Sequence, residues 1–335
     1  MANINIQLFS DIIMKNLFQN NTFMYCGTDH SKFVTYTNGN GEEKSAAIVH
    51  VPTAGNLPTI VKNRASFPIN GIQRTDSDLQ YNLNEYSTNP WTLQYSEAIT
   101  VEYDKASSLL KEMNETLLDT IGNQTAWAWA PTSATSVNGS TVIFKTSGPS
   151  GSTALASSAT GTRNALSLKD FAVAKNKLDA DKFPTSERFF VVPSAQWNLD
   201  VLQLANVVQF LQLGDKSGLR EGQIDPQTIP GYVGRIYGFS VIERPQVVIY
   251  TSGGALAAFG DNGYQTSGAS GDNLAALAFH KSAVASAIGK PVLFYEPVRA
   301  DYFGSLFSAL IRHGAVTTYS TNGVADYRGV CAISQ

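Results

Sequence analysis

The chain has 335 residues, a length that accommodates about two domains, and 43% of them are hydrophobic, which excludes a disordered chain. Its 24 basic and 27 acidic residues leave a net charge of −3, without the basic footprint of a dedicated nucleic-acid binder. Charged residues make up only 15%, against about 25% in an average soluble protein. Such a chain either carries a Ser/Thr/Asn/Gln surface or hides much of its surface against partners, and the second is the favoured expectation.

The opening MANINIQLFSDIIMKN has no basic leader region and no sustained apolar stretch, so no secretory signal is expected. The longest apolar candidate, Pro245 to Gly260, is broken by Gly253 and Gly254, so no membrane span is expected either. Cys26 and Cys331 are two small thiols at opposite ends, not a disulfide framework. A soluble protein made in a cytoplasm is the expectation.

The first 45 residues are polar and mixed and read as an extended arm with a few short elements. Ala46 to Pro52 is a short strand by its β-branched content. Residues 53–103 hold weak periodicity and the breakers Pro58, Pro68, Gly71 and Pro90. Within them Leu79, Tyr81 and Leu83 alternate with polar residues, STNP turns, and Trp91, Leu93 and Tyr95 alternate again. The expectation is a hairpin over 79–95 that touches little of its own chain and needs a surface from elsewhere to bury its apolar stripe.

Residues 104–121 give the clearest helix, with Leu109, Met113 and Leu117 on one face, flanked by Leu110, Leu118 and Ile121. Asp104 suits its N-cap and Gly122 its stop. SVNGSTVIFKT reads as a hairpin, SGPSGSTALASSATGTR as a flexible loop, and Leu168 to Leu178 as a helix opened by Ser167 and Asp170 in capping-box spacing. RFFVV is a buried strand, followed by a helix from Ser194 to about Phe210. YVGRIYGFSVI reads as strand, tight turn, strand; Val247–Tyr250, LAALAFH and VLFYEPV are strands. SAVASAI and YFGSLFSALIRHG are predicted as short helices, and TTYSTNGVADYRGVCAI as strands and turns. The fold class is α+β, with two intermixed lobes.

Chemistry is hard to find. There is no phosphate-cradling glycine motif and no nucleophile elbow. His30, His50, His280 and His313 never stand at metal-ligand spacing, so no metal, cofactor or catalytic residue is assigned. Ser108 and Lys111 match S-x-x-K, and Lys145 to Gly148 loosely match the K-T-G of penicillin-recognising enzymes, but no S-D-N lies between. A Ser–Lys hydrolase is therefore a distant alternative. The carboxylate pairs Glu42/Glu43 and Glu112/Glu115 read as solvated faces, and the N-x-[ST] matches at Asn20, Asn114, Asn123 and Asn138 as chance.

The order of segments resembles the major capsid protein of a tailed bacteriophage, the Hong Kong 97-type capsid fold. The resemblance runs from Ala46 to the end: the strand with Val51-Pro52, YSEAITVEYDKASSLLKEMNETL, LDADKFPTSERFFVVPSAQWNLDVL, GYVGRIYGFSVIERPQ, LAALAFHKSAVASAI and RADYFGSLFSALIRHGAVTTYSTNGVADYRGVCAI. It implies an N-terminal arm over 1–45 and an extended β-hairpin, the E-loop, over 46–98, lying on a neighbouring subunit. It implies a P domain over 99–187 with a spine helix over 104–130 and an inserted hairpin and flexible loop over 131–163. An A domain over 188–295 and a return to the P domain over 296–335 complete the division. Leu79, Tyr81, Leu83, Trp91, Leu93 and Tyr95 become inter-subunit contacts. The implied function is self-assembly into the hexamers and pentamers of an icosahedral shell around double-stranded DNA, without sequence-specific DNA binding, membrane or catalysis. The shell would be built in the host bacterial cytoplasm with a separate scaffolding protein, a portal and decoration proteins as partners. The family's Lys–Asn crosslink motif has no match here, so no crosslinking residue is carried over. An encapsulin-like nanocompartment shell, which resembles the same fold, is the nearer alternative.

Overall fold

The computed structural model describes residues 22–37, 43–45, 48–53, 60–65, 71, 73, 76–94, 105–136, 139–204, 229, 231–260, 263–266, 268–301, 303–321 and 324–334. Two sheets and one long helix, Lys105–Trp129, organise these residues.

The first sheet is built around the strand Gly304–Thr317. Along one edge of it run Val284–Ile288 and Val292–Arg299, in antiparallel register from Val284 opposite Thr317 to Arg299 opposite Gly304. Along the other edge run Asn84–Ser87 and Trp91–Gln94, from Asn84 opposite His313 to Gln94 opposite Gly304. Phe307, Ala309, Ile311 and His313 point inward and are buried, while Leu306, Ser308, Leu310 and Arg312 between them are half-exposed. That period of two is the signature of a strand with one covered face. The cover is the long helix, whose Met113, Leu117 and Ile121 pack on Phe307, Ala309 and Ile311.

The predicted helix over YFGSLFSALIRHG is therefore a strand. A short apolar run fits either period, and here two flanking segments supply backbone partners on both edges. SAVASAI is corrected in the same way: one tight turn at Lys281–Ala283 leads into the strand Val284–Ile288. Gly122 does not stop the long helix. It sits mid-helix where Arg244 presses on the backbone, and a Cβ there would stand 2.5 Å from the guanidinium Nη1. Asp104, the expected N-cap, lies outside the described residues.

The second sheet has seven strands. Tyr232–Ile236 and Phe239–Arg244 form a hairpin whose turn residues Tyr237 and Gly238 both have positive φ, 51° and 87°, as a two-residue hairpin turn requires. Arg188–Pro193 follows, parallel to Phe239–Arg244, then Asn273–His280, Val330–Ser334 and Ile143–Lys145, with Val248–Tyr250 on the far part of Asn273–His280. Arg188–Pro193 is buried on both faces. Phe189 and Val191 join the cluster around Trp129 at the end of the long helix. Phe190 and Val192 face the helix Leu168–Ala180, where Phe171 stacks on Phe190 at 4.1 Å between ring centroids. That helix opens with the expected capping box of Ser167 and Asp170. Trp129 ties the sheets together: its Nε1 donates to the Ala285 carbonyl in the first sheet at 3.0 Å while its ring meets Phe279 of the second.

The sheets cut across the expected division at residue 295, since Val284–Ile288 lies in the first sheet and Val330–Ser334 in the second. Three further expectations are revised. The segment at 147–163 is packed and not a loose loop: Arg163 is buried and makes a bidentate pair with Asp200 at 2.5 and 2.9 Å, while the Leu166 N–H donates to the same carboxylate. The helix from Ser194 ends as a helix at Gln196 and widens into a turn over Trp197–Val201; residues 205–210 lie outside the described set. Residues 22–37 are less of an arm than expected, because Phe23 and Cys26 are fully buried beside Trp129.

Two expected outcomes follow from this core. Replacing Arg163 by Ala leaves the Asp200 carboxylate buried without its cation, and stability should fall by about 3–5 kcal/mol in urea denaturation. A loss below about 1 kcal/mol would contradict the placement of that pair. The second concerns His313, which is fully buried beneath the long helix. Thr125 Oγ1 donates to the Ile121 carbonyl at 2.7 Å, so at 3.2 Å it accepts from His313 Nε2–H, and Nδ1 is left without a partner. Burial pushes the His313 pKa from 6.5 down to about 3. The unfolded chain takes up this proton below about pH 6.5 and the folded chain does not. Stability is therefore intact above that pH and falls by about 1.4 kcal/mol per unit as pH drops toward 3. His313→Gln should flatten this slope in denaturation curves taken at pH 7, 6, 5 and 4; an unchanged slope contradicts the assignment.

Candidate assembly surfaces

The hairpin expected over 79–95 is not formed. Ser77–Asn82 pairs instead with Ile48–Thr53, and the chain then crosses to the first sheet, where Asn84–Ser87 and Trp91–Gln94 both pair with Gly304–Thr317. Leu79, Tyr81 and Leu83 are buried with Val34, Val49 and Ala287 of their own chain, and the Tyr81 hydroxyl lies 3.3 Å from His30 Nδ1. Leu93 is half-buried against the cluster beneath the long helix. Trp91 keeps 47% of its surface exposed. Tyr95 lies outside the described residues. The stripe that was expected to await a partner is thus largely covered from within, by Val34, Val49 and Ala287 and by the strand Gly304–Thr317.

The exposed apolar face lies elsewhere. On the side of the first sheet away from the long helix, Val292 stands opposite Leu310, Phe294 opposite Ser308, and Glu296 opposite Leu306. Val292 and Phe294 are 43% and 55% exposed, with Leu306 and Leu310 half-exposed beside them. At the turn before the long strand Phe303 is 80% exposed. A contiguous apolar sheet face of this kind marks an interaction surface, whereas single exposed hydrophobic residues do not. The signal was present in the sequence as the alternation in VLFYE and SLFSALIR. Reading the second run as a helix concealed that both runs share one face.

A groove of about 920 Å³ opens between the long helix, the edge strand Asn84–Ser87 and the loop at 259–263. Its walls carry Tyr86, Trp91, Trp127 and Phe259, and the rings of Trp127 and Phe259 lie 5.8 Å apart. Among the described residues no strand pairs with the outer edge of Asn84–Ser87.

His50 is exposed and lies 2.7 Å from an Asp78 oxygen. Burial lowers the pKa of His30 and of His280. Burial also raises both thiols, that of Cys331 up to about 12, so neither is a nucleophile. Lys111 is exposed and pairs with Glu115 at 3.8 Å, a solvent-face pair and not an activated Ser–Lys site. Thr146 is buried and donates to the Asn164 carbonyl at 3.0 Å. Among the described residues no three His, Cys, Asp or Glu side chains converge as a metal site, and no helix is long and apolar enough to cross a membrane.

No family model matches the sequence, and no curated protein matches it. The likeness lies in the fold. The capsid structure of Cyanophage P-SCSP1u shares 15% identity at a TM-score of 0.58, over 94% of this chain and 88% of the other. The capsid of Ralstonia phage GP4 shares 12% identity at a TM-score of 0.60, over 92% and 86%. The capsid of a native GTA particle shares 10% identity at a TM-score of 0.50, over 93% and 89%. The mixed α+β architecture described above is the fold of these capsid subunits.

Proposed function

We propose that this chain is the major capsid protein of a tailed phage, a structural subunit whose work is to assemble with copies of itself. The observation that carries the reading is the agreement of fold over 92–94% of the chain with two phage capsid subunits at TM-scores of 0.58 and 0.60.

Physical chemistry supports it. A charge content of 15% is low for a free surface, and shell subunits cover much of theirs. The Val292/Phe294 face is the sort of surface that closed, repeated contacts bury. At about 25 cal/mol/Å², covering 400 Å² of apolar surface per contact gives about 10 kcal/mol before association costs. The weak net charge of −3 suits a DNA container, because a lining that gripped phosphates at many points would bind with steep salt dependence.

In this reading the long helix Lys105–Trp129 is the spine of a P domain that includes the first sheet, and the second sheet is the body of the A domain. Residues 46–98 form the E-loop. Of its described expected contact residues, Trp91 retains the most surface for a neighbour. Subunits arranged as hexamers and pentamers close an icosahedral shell around double-stranded DNA in the host bacterial cytoplasm. Scaffolding, portal and decoration proteins act as partners, and no catalysis is involved.

The test is assembly of the purified chain, with its scaffold if required, seen by electron microscopy. Closed shells are expected from the native sequence. Phe294→Asp alters an exposed position, so its fold and thermal unfolding should be unchanged within about 0.5 kcal/mol. Shells should nevertheless be lost, leaving small soluble oligomers. Normal shells from Phe294→Asp would contradict burial of that face.

A further inference from the structure

We infer that a pocket beside the hairpin 232–244 binds a phosphate group. The inference stands apart from the shell reading, because it rests on one pocket within one chain.

Among the described residues, a pocket of about 400 Å³ lies where four segments meet. They are the helix Thr22–Cys26, the start of the strand Arg188–Pro193, the hairpin, and the tight turn Lys281–Ala283. This is near the small end of the range of about 300–1,000 Å³ found for ligand sites, enough for one compact polar group.

The first observation is a serine where the sheet calls for a hydrocarbon. Ser240 stands opposite Arg235 within the hairpin and opposite Phe189 on its other side. Residues directly opposite one another share a face of the sheet. On that face Phe189, Val191, Ile242 and Phe279 are apolar and buried. Ser240 is 9% exposed and lines the pocket, and its hydroxyl makes no hydrogen bond with a described residue. A buried hydroxyl without a partner is unfavourable, and a valine there would add apolar contact instead. A ligand that accepts from this hydroxyl accounts for the serine.

The second observation is charge. Arg188, Arg235 and Lys281 line the pocket against a single carboxylate, that of Glu187. Arg188 is buried and already committed: its guanidinium donates to the Phe183 and Pro184 carbonyls and pairs with Asp179 at 2.7 Å. Lys281 and Glu187 form a solvent-screened pair at 3.5 Å. Arg235 is exposed and makes no ion pair with a described residue. An uncompensated guanidinium thus stands across the hairpin ladder from the unpartnered hydroxyl.

The third observation is the variety of donors. Besides Ser240, the pocket is lined by Tyr25 and Ser186, whose hydroxyls bond to no described side chain. Arginine and lysine only donate, and each hydroxyl can donate. A carboxylate has two oxygens in one plane, and one arginine fork satisfies it. A phosphate presents oxygens in several directions, which donors brought from four segments match. The phosphate belongs to a nucleic-acid backbone or is free inorganic phosphate, and the test separates these sources.

Equilibrium dialysis of the purified full-length chain against radiolabelled orthophosphate in chloride buffer reads binding whether or not the chain assembles. Saturable binding at a single site per chain is expected. Arg235→Gln should weaken it at least about tenfold, the loss of one charge-assisted contact. Ser240→Ala should weaken it about threefold. Both variants should keep the native unfolding temperature in phosphate-free buffer, since Arg235 is exposed and Ser240 loses only an unpartnered hydroxyl. Unlabelled oligothymidylate without terminal phosphates displaces the label if the site takes a nucleic-acid backbone, and leaves it bound if the site takes free phosphate; both results support phosphate recognition. Absence of saturable binding, binding that Arg235→Gln leaves unchanged, or displacement by acetate as effective as by unlabelled phosphate would overturn the inference.

Discussion

Everything in this structure depends on the strand Gly304–Thr317 being satisfied along both edges and on one face only. Fourteen residues of backbone find partners on the two flanking segments, 284–299 and 84–94. The inward face, from Phe307 to His313, is closed by the long helix. On the outward face Val292 and Phe294 stay exposed and Leu306 and Leu310 half-exposed among the described residues. A sheet with one dry face and a largely apolar face open to water presents a surface that the proposed assembly of copies would cover.

The long helix transmits that arrangement to the rest of the molecule. Its middle lies on the first sheet, and its last turn, through Trp129, enters the core of the second. Between them the Arg244 guanidinium lies over Gly122, where a side chain would oblige the arginine to move. The two sheets are therefore held together by buried, non-polar contacts.

Much of this was legible in the sequence. The long helix announced itself through Leu109, Met113 and Leu117, since a helical stripe with one polar flank has no competing period. The capping box at Ser167 and Asp170, the turn at Tyr237-Gly238 and the doubly buried strand at 188–193 were local signals and were read correctly. Two runs misled. SAVASAI and SLFSALIRH are short, small-residue or apolar segments whose period is ambiguous, and only their distant partners decide it. For 284–288 those partners are 304–317 and Thr28–Asp29; for 304–317 they are 284–299 and 84–94, of which local reading had set 91–95 against 79–83. Leu79, Tyr81 and Leu83 find their cover in Val34, Val49 and Ala287, which are distant or ambiguous in the sequence, and a neighbour was invoked to supply it. The exposed Val292/Phe294 face was hidden because YFGSLFSALIRHG was read as a helix. The buried Arg163–Asp200 pair could not be found locally, because its halves are 37 residues apart and each lies in a polar context.

If copies of this chain cover the outer face of the first sheet, hydrogen exchange over residues 292–310 should slow between dissociated subunits and the purified assembled particle. This segment is expected among the regions gaining the most protection on assembly, with little change in the strand 188–193, which is already buried in the single subunit. Equal exchange of 292–310 in the two states, or a protein that remains a single subunit under every assembly condition, would contradict it.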